Sequence, residues 1–245
     1  MKKKIFSVLA AAIFLNNNLY AAAAIPADNI FLLNYDSVSE GAGGSALAFS
    51  QNSLSFINSP SSNYDVLAAR LDFAGITISD NISGGLCSVM LPTAIGNFTI
   101  AGSYNKVLSS GITIPDGENL LNNYSIYLNY VFPFIIKNPV YENIGGIGIT
   151  LKDYSFSAQG NSKIALAFDI GGQYNIKVIS DNLWAAIAFR NVGDKVKISE
   201  SGSFDILQNF DFASLYNFYG SLKPAIMCDI LQFFKTNKNW LRFWR

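Results

Sequence analysis

The sequence predicts an all-β protein, an antiparallel transmembrane β-barrel with a short N-terminal plug segment. Three observations support this fold class. The chain begins with the pattern of an export signal. Several later segments alternate apolar with small or polar residues, which is the two-residue period of a β-strand. Charged residues make up only 14% of the chain and hydrophobic residues 50%, whereas soluble proteins carry about 25% charged residues. The apolar faces are therefore expected to contact lipid.

Residues 1–21 are predicted to be a cleaved signal peptide. Three lysines, Lys2–Lys4, are followed by the apolar stretch 5–15 and by small residues at 21–24. This order is typical of secretory signals. Cleavage of the signal peptide removes three of the 17 basic residues and none of the 17 acidic ones. The remaining chain has 14 basic and 17 acidic residues, a net charge of −3. Nucleic-acid-binding domains are usually basic, so we expect no nucleic-acid partner. The predicted location is the cell outer membrane.

The predicted plug segment, residues 22–63, contains a glycine-rich stretch. Its distinctive residues are Gly41, Gly43, Gly44, Ala48 and Pro60. Glycine adopts positive φ angles and lets another chain approach closely, which suits a segment in a crowded lumen. An ordinary periplasmic linker is the alternative interpretation.

This pattern resembles the N-terminal signature of FadL-like outer-membrane proteins, particularly of the PorV/PorQ type. That signature has a Gly-x-Gly-Gly-Ala start, a small and apolar stretch, a pair of acids and an Asn-Pro-Ala element. The chain departs from it at four positions, which are Ser45, Gln51, Asn52 and Ser59.

The resemblance implies a barrel with its N-terminal segment tucked into the lumen. In the FadL branch this plug gates the passage of hydrophobic molecules, which leave sideways through a gap in the barrel wall. In the PorV branch the barrel serves a secretion system as a carrier or anchor for exported proteins. The implied partners are outer-membrane lipid and either a hydrophobic ligand or secretion-system proteins.

The barrel strands are predicted within residues 64–222, and we expect roughly eight to ten of them, at the small end for such barrels. The alternation is clearest over residues 163–175, where Ile164, Leu166 and Phe168 share one face. The opposite face carries mostly small and polar residues, among them Ala165 and Ala167. A solvated sheet face would instead carry Lys, Glu and Thr. The pattern therefore favours lipid on one face and a lumen on the other.

Two further features belong to the predicted strands. Aromatic residues lie on the apolar face near strand ends, as in the interfacial girdles of outer-membrane barrels; they are Tyr104, Tyr124, Phe132 and Tyr174. The alternation also changes phase near Gly75, which predicts a β-bulge there.

A few charged residues fall on the predicted lumen face, and these candidate lumen charges are Arg70, Asp72, Lys152, Asp169 and Arg190. We expect them to pair with one another or with the plug. Contact with a substrate is the alternative.

The tail, residues 223–245, does not match the closing strand of such a barrel. Met227, Ile230, Leu231 and Phe234 have helical spacing, and basic residues with Trp would suit a helix at a membrane surface. The chain ends in Arg245 rather than in an aromatic. Whether the barrel is C-terminally incomplete stays open.

The composition argues against an enzyme. The chain has no His, which removes Ser-His-Asp and Cys-His catalysis and every His-containing metal site. We expect no catalytic residue, metal or cofactor. Cys87 and Cys228 could pair in an exported protein, but sequence alone does not establish this. A soluble exported β-sandwich that acts as a binding module is the remaining alternative to the membrane barrel.

Overall fold

The computed structural model confirms that the protein is all-β. It describes residues 53–79, 82–108, 120–137, 142–158, 161–177, 179, 183–193, 195–197, 203–205, 208–217, 225–234 and 242–243. A single turn of 3-10 helix, Ser55–Ile57, precedes the strands in this part of the chain. The strands are β1 (Arg70–Ser79), β2 (Ile82–Thr93), β3 (Gly96–Leu108), β4 (Leu120–Lys137), β5 (Glu142–Ala158), β6 (Asn161–Asn175), β7 (Leu183–Gly193), β8 (Lys195–Lys197), β9 (Ser203–Asp205), β10 (Gln208–Asn217), β11 (Ala225–Phe234) and β12 (Arg242–Phe243).

Ten of these strands form one antiparallel sheet in the order β1-β2-β3-β4-β5-β6-β7-β10-β11-β12. Each strand pairs with its neighbour in the chain, except that the separate β8-β9 hairpin is inserted between β7 and β10. Within the described residues the sheet is open, because β1 and β12 each have a partner on one side only.

The two faces of the sheet have the reverse of the usual exposure. On β6 the side chains of Ile164 and Leu166 are 69% and 58% exposed, while those of Ala165 and Asp169 are 2% and 0% exposed. An antiparallel sheet in a soluble protein normally buries its apolar face and exposes its polar one. We call the face of Ile164 and Leu166 the outer face, and the face of Ala165 and Asp169 the inner face.

The strand register arranges the outer face into rows. Tyr104 on β3 is the partner of Tyr124 on β4, and their rings lie 4.9 Å apart. Ten residues further along β4, Phe134 stacks on Tyr174 of β6, with a ring distance of 6.0 Å. The rows between these two aromatic pairs are mostly apolar and exposed.

Residues 53–66, which we call the inner segment, lie against the inner face. Nearly all of their side chains are buried. The segment contacts every strand from β1 to β7, at Asp72, Ser88, Asn97, Tyr127, Gly146, Gly148, Gly171 and Trp184. From Ser53 to Val66 it runs toward the end of the sheet at which β1 begins.

Two local predictions were wrong. The residues with helical spacing in the tail form β11, a strand that pairs with β10 from Asn217↔Ala225 to Gln208↔Phe234. Both faces of this strand carry apolar residues, which hides the two-residue period. The predicted bulge at Gly75 is also absent, because Gly75 pairs regularly with Gly85 and the register of β1 shifts only between Thr77 and Ser79.

Among the described residues, none of the helical segments has the length and apolarity needed to span a membrane.

Candidate functional site

The middle of the inner segment is held by a glycine cradle on β5 and β6. The Pro60 carbonyl oxygen accepts a hydrogen bond of 2.9 Å from Asn129 Nδ2. A Cβ atom on Gly148 would overlap the Pro60 carbonyl group, and one on Gly171 would lie 3.1 Å from Pro60 Cδ. Glycine at these positions therefore permits the close approach of the two backbones.

The ends of the inner segment are held by polar side chains. Ser53 donates from its backbone N–H and its hydroxyl to Asp72 Oδ2, over 2.9 and 2.5 Å. Near the other end, Asn97 Nδ2 donates to the carbonyl oxygens of Asn63 and Val66. Asn63 has a φ of 67°, a conformation that Asn tolerates better than most residues.

Tyr64 docks in a space that a glycine leaves open. A Cβ atom on Gly146 would come within 2.5 Å of Tyr64 Cβ, and the ring lies 6.0 Å from that of Trp184 on β7. Burial of the hydroxyl, and to a lesser degree the nearby Asp65 carboxylate, raises the pKa of Tyr64. The phenol is therefore neutral at physiological pH.

An aromatic cluster forms a second part of the site. Phe56 is fully buried and meets Tyr127 edge to face at 5.8 Å. Tyr127 in turn contacts Tyr154, which contacts Phe156, both at 6.2 Å. These four rings form a continuous series of aromatic contacts between the inner segment and the inner face of β4 and β5.

A charge cluster lies beside the aromatic cluster. Lys152 Nζ is 2.6 Å from Asp169 Oδ2 and donates a hydrogen bond of 2.8 Å to Asn191 Oδ1. A second ion pair joins Arg190 Nε to Asp211 Oδ2 at 2.5 Å. The two acids and two bases balance, which is how buried charges are normally tolerated.

A β-bulge places Asn191 in the charge cluster. The register between β6 and β7 shifts between Phe168 and Ile170, so that two residues of β7 face Asp169. Asn191 has a φ of 58° and its N–H donates to Asp169 Oδ1 over 2.7 Å. This conformation is the one that a glycine or asparagine adopts most readily in such a bulge.

The structure brings together most of the charges that the sequence singled out. Lys152 and Asp169 form one pair, Arg190 is in the second, and Asp72 binds the inner segment. Arg70 begins β1 and is exposed.

Of the predicted plug residues, Pro60 lies in the glycine cradle. The other four, Gly41, Gly43, Gly44 and Ala48, lie outside the described residues, as do residues 1–21.

Several site residues were missed by the sequence reasoning. Asp211 lies between Phe210 and Phe212, and this alternation could have identified it as an inward charge. Asn129 follows Leu128 and precedes Tyr130, and nothing in this pattern indicates that its side chain binds Pro60. Nothing in the sequence pattern marks Asn191 as a bulge residue.

Cys87 is a free thiol, so the pair with Cys228 is not formed. Among the described residues, no three His, Cys, Asp or Glu side chains lie close enough together to hold a metal ion.

No protein-family model matches the chain, and no curated protein or solved structure is significantly similar to it.

Proposed function

We propose that this protein is an outer-membrane β-barrel that binds or passes small hydrophobic molecules, with the inner segment as its plug. The observation that carries the proposal is the exposed apolar outer face, because such a face is stable against acyl chains and unfavourable in water. A soluble sandwich would bury Ile164, Leu166 and Phe168 against a second sheet, whereas these side chains are exposed.

The height of the apolar face supports a membrane environment. Tyr124 and Phe134 mark the two aromatic rows and are ten residues apart on β4. Ten residues of antiparallel strand span about 34 Å. With the strand tilt of about 40° that such barrels have, the band would be about 26 Å tall, close to the roughly 25 Å expected for an outer-membrane barrel.

The connectivity of the sheet supports the same proposal. Ten antiparallel strands are an even number, which returns both ends of the sheet to one side. We call that side the lower end. The two longest connections, 109–119 and 194–207, are both at the upper end. Bacterial barrels place long loops outside the cell and short turns in the periplasm, so the upper end would face outward.

Two features favour a hydrophobic ligand. The aromatic cluster around Tyr127 is covered by Phe56 of the inner segment, and an apolar molecule could take the place of that ring. The pairing of β6 with β7 reaches only as far as Ala167↔Gly193, which leaves residues 161–166 without a β7 partner in the described chain. The short strand β8 lies next to β6 there, and its displacement would open a sideways exit in the wall.

A carrier or anchor of a secretion system is the second candidate. The contacts of the inner segment with seven strands suit a barrel that stays closed. In that case the protein would act through a surface and not through its lumen.

Membrane residence is tested by fractionating cells that express the full chain and by comparing boiled with unboiled samples in detergent gels. We expect the protein in the outer-membrane fraction with heat-modifiable migration. Release into buffer, with no change of migration on heating, would overturn the membrane proposal.

Uptake of a hydrophobic fluorescent probe separates the two candidates. Cells that carry the wild-type protein should accumulate the probe faster than cells without it. A folded, membrane-resident protein that leaves uptake unchanged and does not bind the probe in detergent would contradict the ligand proposal and favour the carrier.

A further inference from the structure

Near its upper edge the outer face carries a row of polar residues. The register aligns one residue from each strand from β1 to β6 in this row, which we call the donor row; beyond it, Leu108 pairs with Leu120 at the ends of β3 and β4. Its members are Thr77, Ser83, Lys106, Asn122, Ser157 and Ser162. Every one carries a hydrogen-bond donor, one is a cation and none is an acid.

Lys106 and Asn122 are cross-strand partners at the centre of the donor row. The hydroxyl of Tyr104 donates to Asn122 Oδ1 over 2.9 Å. Because the amide oxygen of Asn122 is engaged, its NH₂ group is left as the donor next to the Lys106 ammonium. An ammonium and an amide NH₂ side by side match the oxygens of an anion.

On β3 and β4 the surface below these donors is apolar. The rings of Tyr104 and Tyr124, which are tilted against each other, lie one row lower, and Ile126 lies one row below them on β4, exposed. On β5 this surface is interrupted by Ser155 and Asp153, the cross-strand partners of Tyr124 and Ile126. Asp153 lies four residues, or about 13 Å, from the donor row. A ligand here would need an anionic head above and an apolar body below.

We propose that Lys106 and Asn122 bind the phosphate group of a lipid in the membrane leaflet nearest the upper end. This inference rests on the proposed membrane location. The apolar surface directly below the donors is the reason to choose a lipid over a free anion, since the acyl chains would lie along Tyr124 and Ile126 while the phosphate meets the donor row.

The test uses the full-length protein in a neutral detergent. Native mass spectrometry would count the lipid retained after incubation with phosphatidylglycerol, or with a diacylglycerol of the same acyl chains that has no phosphate. We expect the phospholipid to be retained about tenfold better, because one or more charge-assisted hydrogen bonds depend on the phosphate. Lys106→Gln should remove most of this preference.

Lys163→Gln is the matched control, since Lys163 is an exposed lysine near the same end of β6 but on the opposite face from Ser162. It should retain the phospholipid as the wild type does. Equal retention by Lys106→Gln and the wild type, or equal retention of both lipids, would overturn the proposal. Displacement of the lipid by millimolar inorganic phosphate would show a site for soluble anions instead.

Heat-modifiable migration of each variant separates the two proposals. If Lys106→Gln keeps this migration and the lipid preference is absent in all proteins, only the lipid site is wrong. If the wild-type protein itself lacks heat-modifiable migration, the membrane proposal fails as well.

Discussion

Asn191 reaches across an intervening strand to Lys152. Its Oδ1 accepts a hydrogen bond of 2.8 Å from Lys152 Nζ, although Lys152 lies on β5 and Asn191 on β7. The contact exists because the bulge opposite Asp169 turns Asn191 onto the inner face. One backbone irregularity thus joins three strands through a buried ion pair.

Removing the charge of Asp169 should lower the free energy of unfolding. Asp169→Asn leaves the Lys152 ammonium buried without its counter-charge, and breaking a buried pair in this way destabilises proteins by about 3–5 kcal/mol. The unfolding midpoint in urea should fall accordingly.

The double variant Lys152→Met/Asp169→Leu is the control for that substitution. It removes both charges and keeps an apolar volume, so it should recover most of the lost stability. A single variant as stable as the wild type would show that Lys152 finds another partner.

The glycine cradle gives a second prediction. In Gly148→Ala the new methyl group would overlap the Pro60 carbonyl, so the inner segment should leave its position. Hydrogen exchange should then become faster over residues 53–66.

Gly102→Ala is the matched control for the cradle, because a Cβ atom there would meet its nearest neighbour, the Ser125 carbonyl, at an ordinary 3.9 Å. Its exchange should match that of the wild type. Unchanged protection of the inner segment in Gly148→Ala would contradict the close approach.

Introducing a charged side chain tests whether lipid or water surrounds the outer face. Leu151 is 57% exposed near the middle of the apolar band. In lipid, Leu151→Arg should destabilise the folded protein by about 2–4 kcal/mol. In water the same exposed substitution would change stability by less than about 0.5 kcal/mol.

Ser162→Arg is the partner measurement, because Ser162 lies in the donor row at the edge of the band. Its cost in a bilayer should be about 0–1 kcal/mol. Refolding into lipid vesicles, followed by denaturant titration, measures both variants. Equal effects at the two positions would argue against a bilayer around this face.

Docking of Tyr64 should weaken at alkaline pH. The pKa of this phenol is raised in the folded state by burial, so the folded protein holds the proton more tightly than the unfolded one. The associated stability is complete below the unfolded pKa of about 10 and declines as the pH rises above it, by up to about 1.4 kcal/mol per pH unit.

Urea titrations at pH 8 and pH 11 measure this effect, with Tyr64→Phe as the control. The variant keeps the ring against Trp184 but has no proton to lose, so it should decline less steeply between the two pH values. The other tyrosines are common to both proteins and cancel in the comparison. If the stability of the wild type and that of Tyr64→Phe fell equally between the two pH values, burial would not hold the proton on Tyr64 and the prediction would be wrong.

The sequence by itself determined the two faces of the strands whose residues alternate clearly. Alternation between Ile164, Leu166 and Phe168 on one side and Ala165 and Ala167 on the other fixes which side chains share a face, because successive residues of a strand point in opposite directions. The all-β class and the inward direction of Lys152 and Asp169 followed from this local geometry.

Only the tertiary structure decided where those faces meet other parts of the chain. The contact of Pro60 with Gly148, the bulge at Asn191 and the pairing of β11 with β10 join residues far apart in sequence. Such contacts depend on register and on the space that neighbouring strands leave, and neither is contained in the period of a single segment.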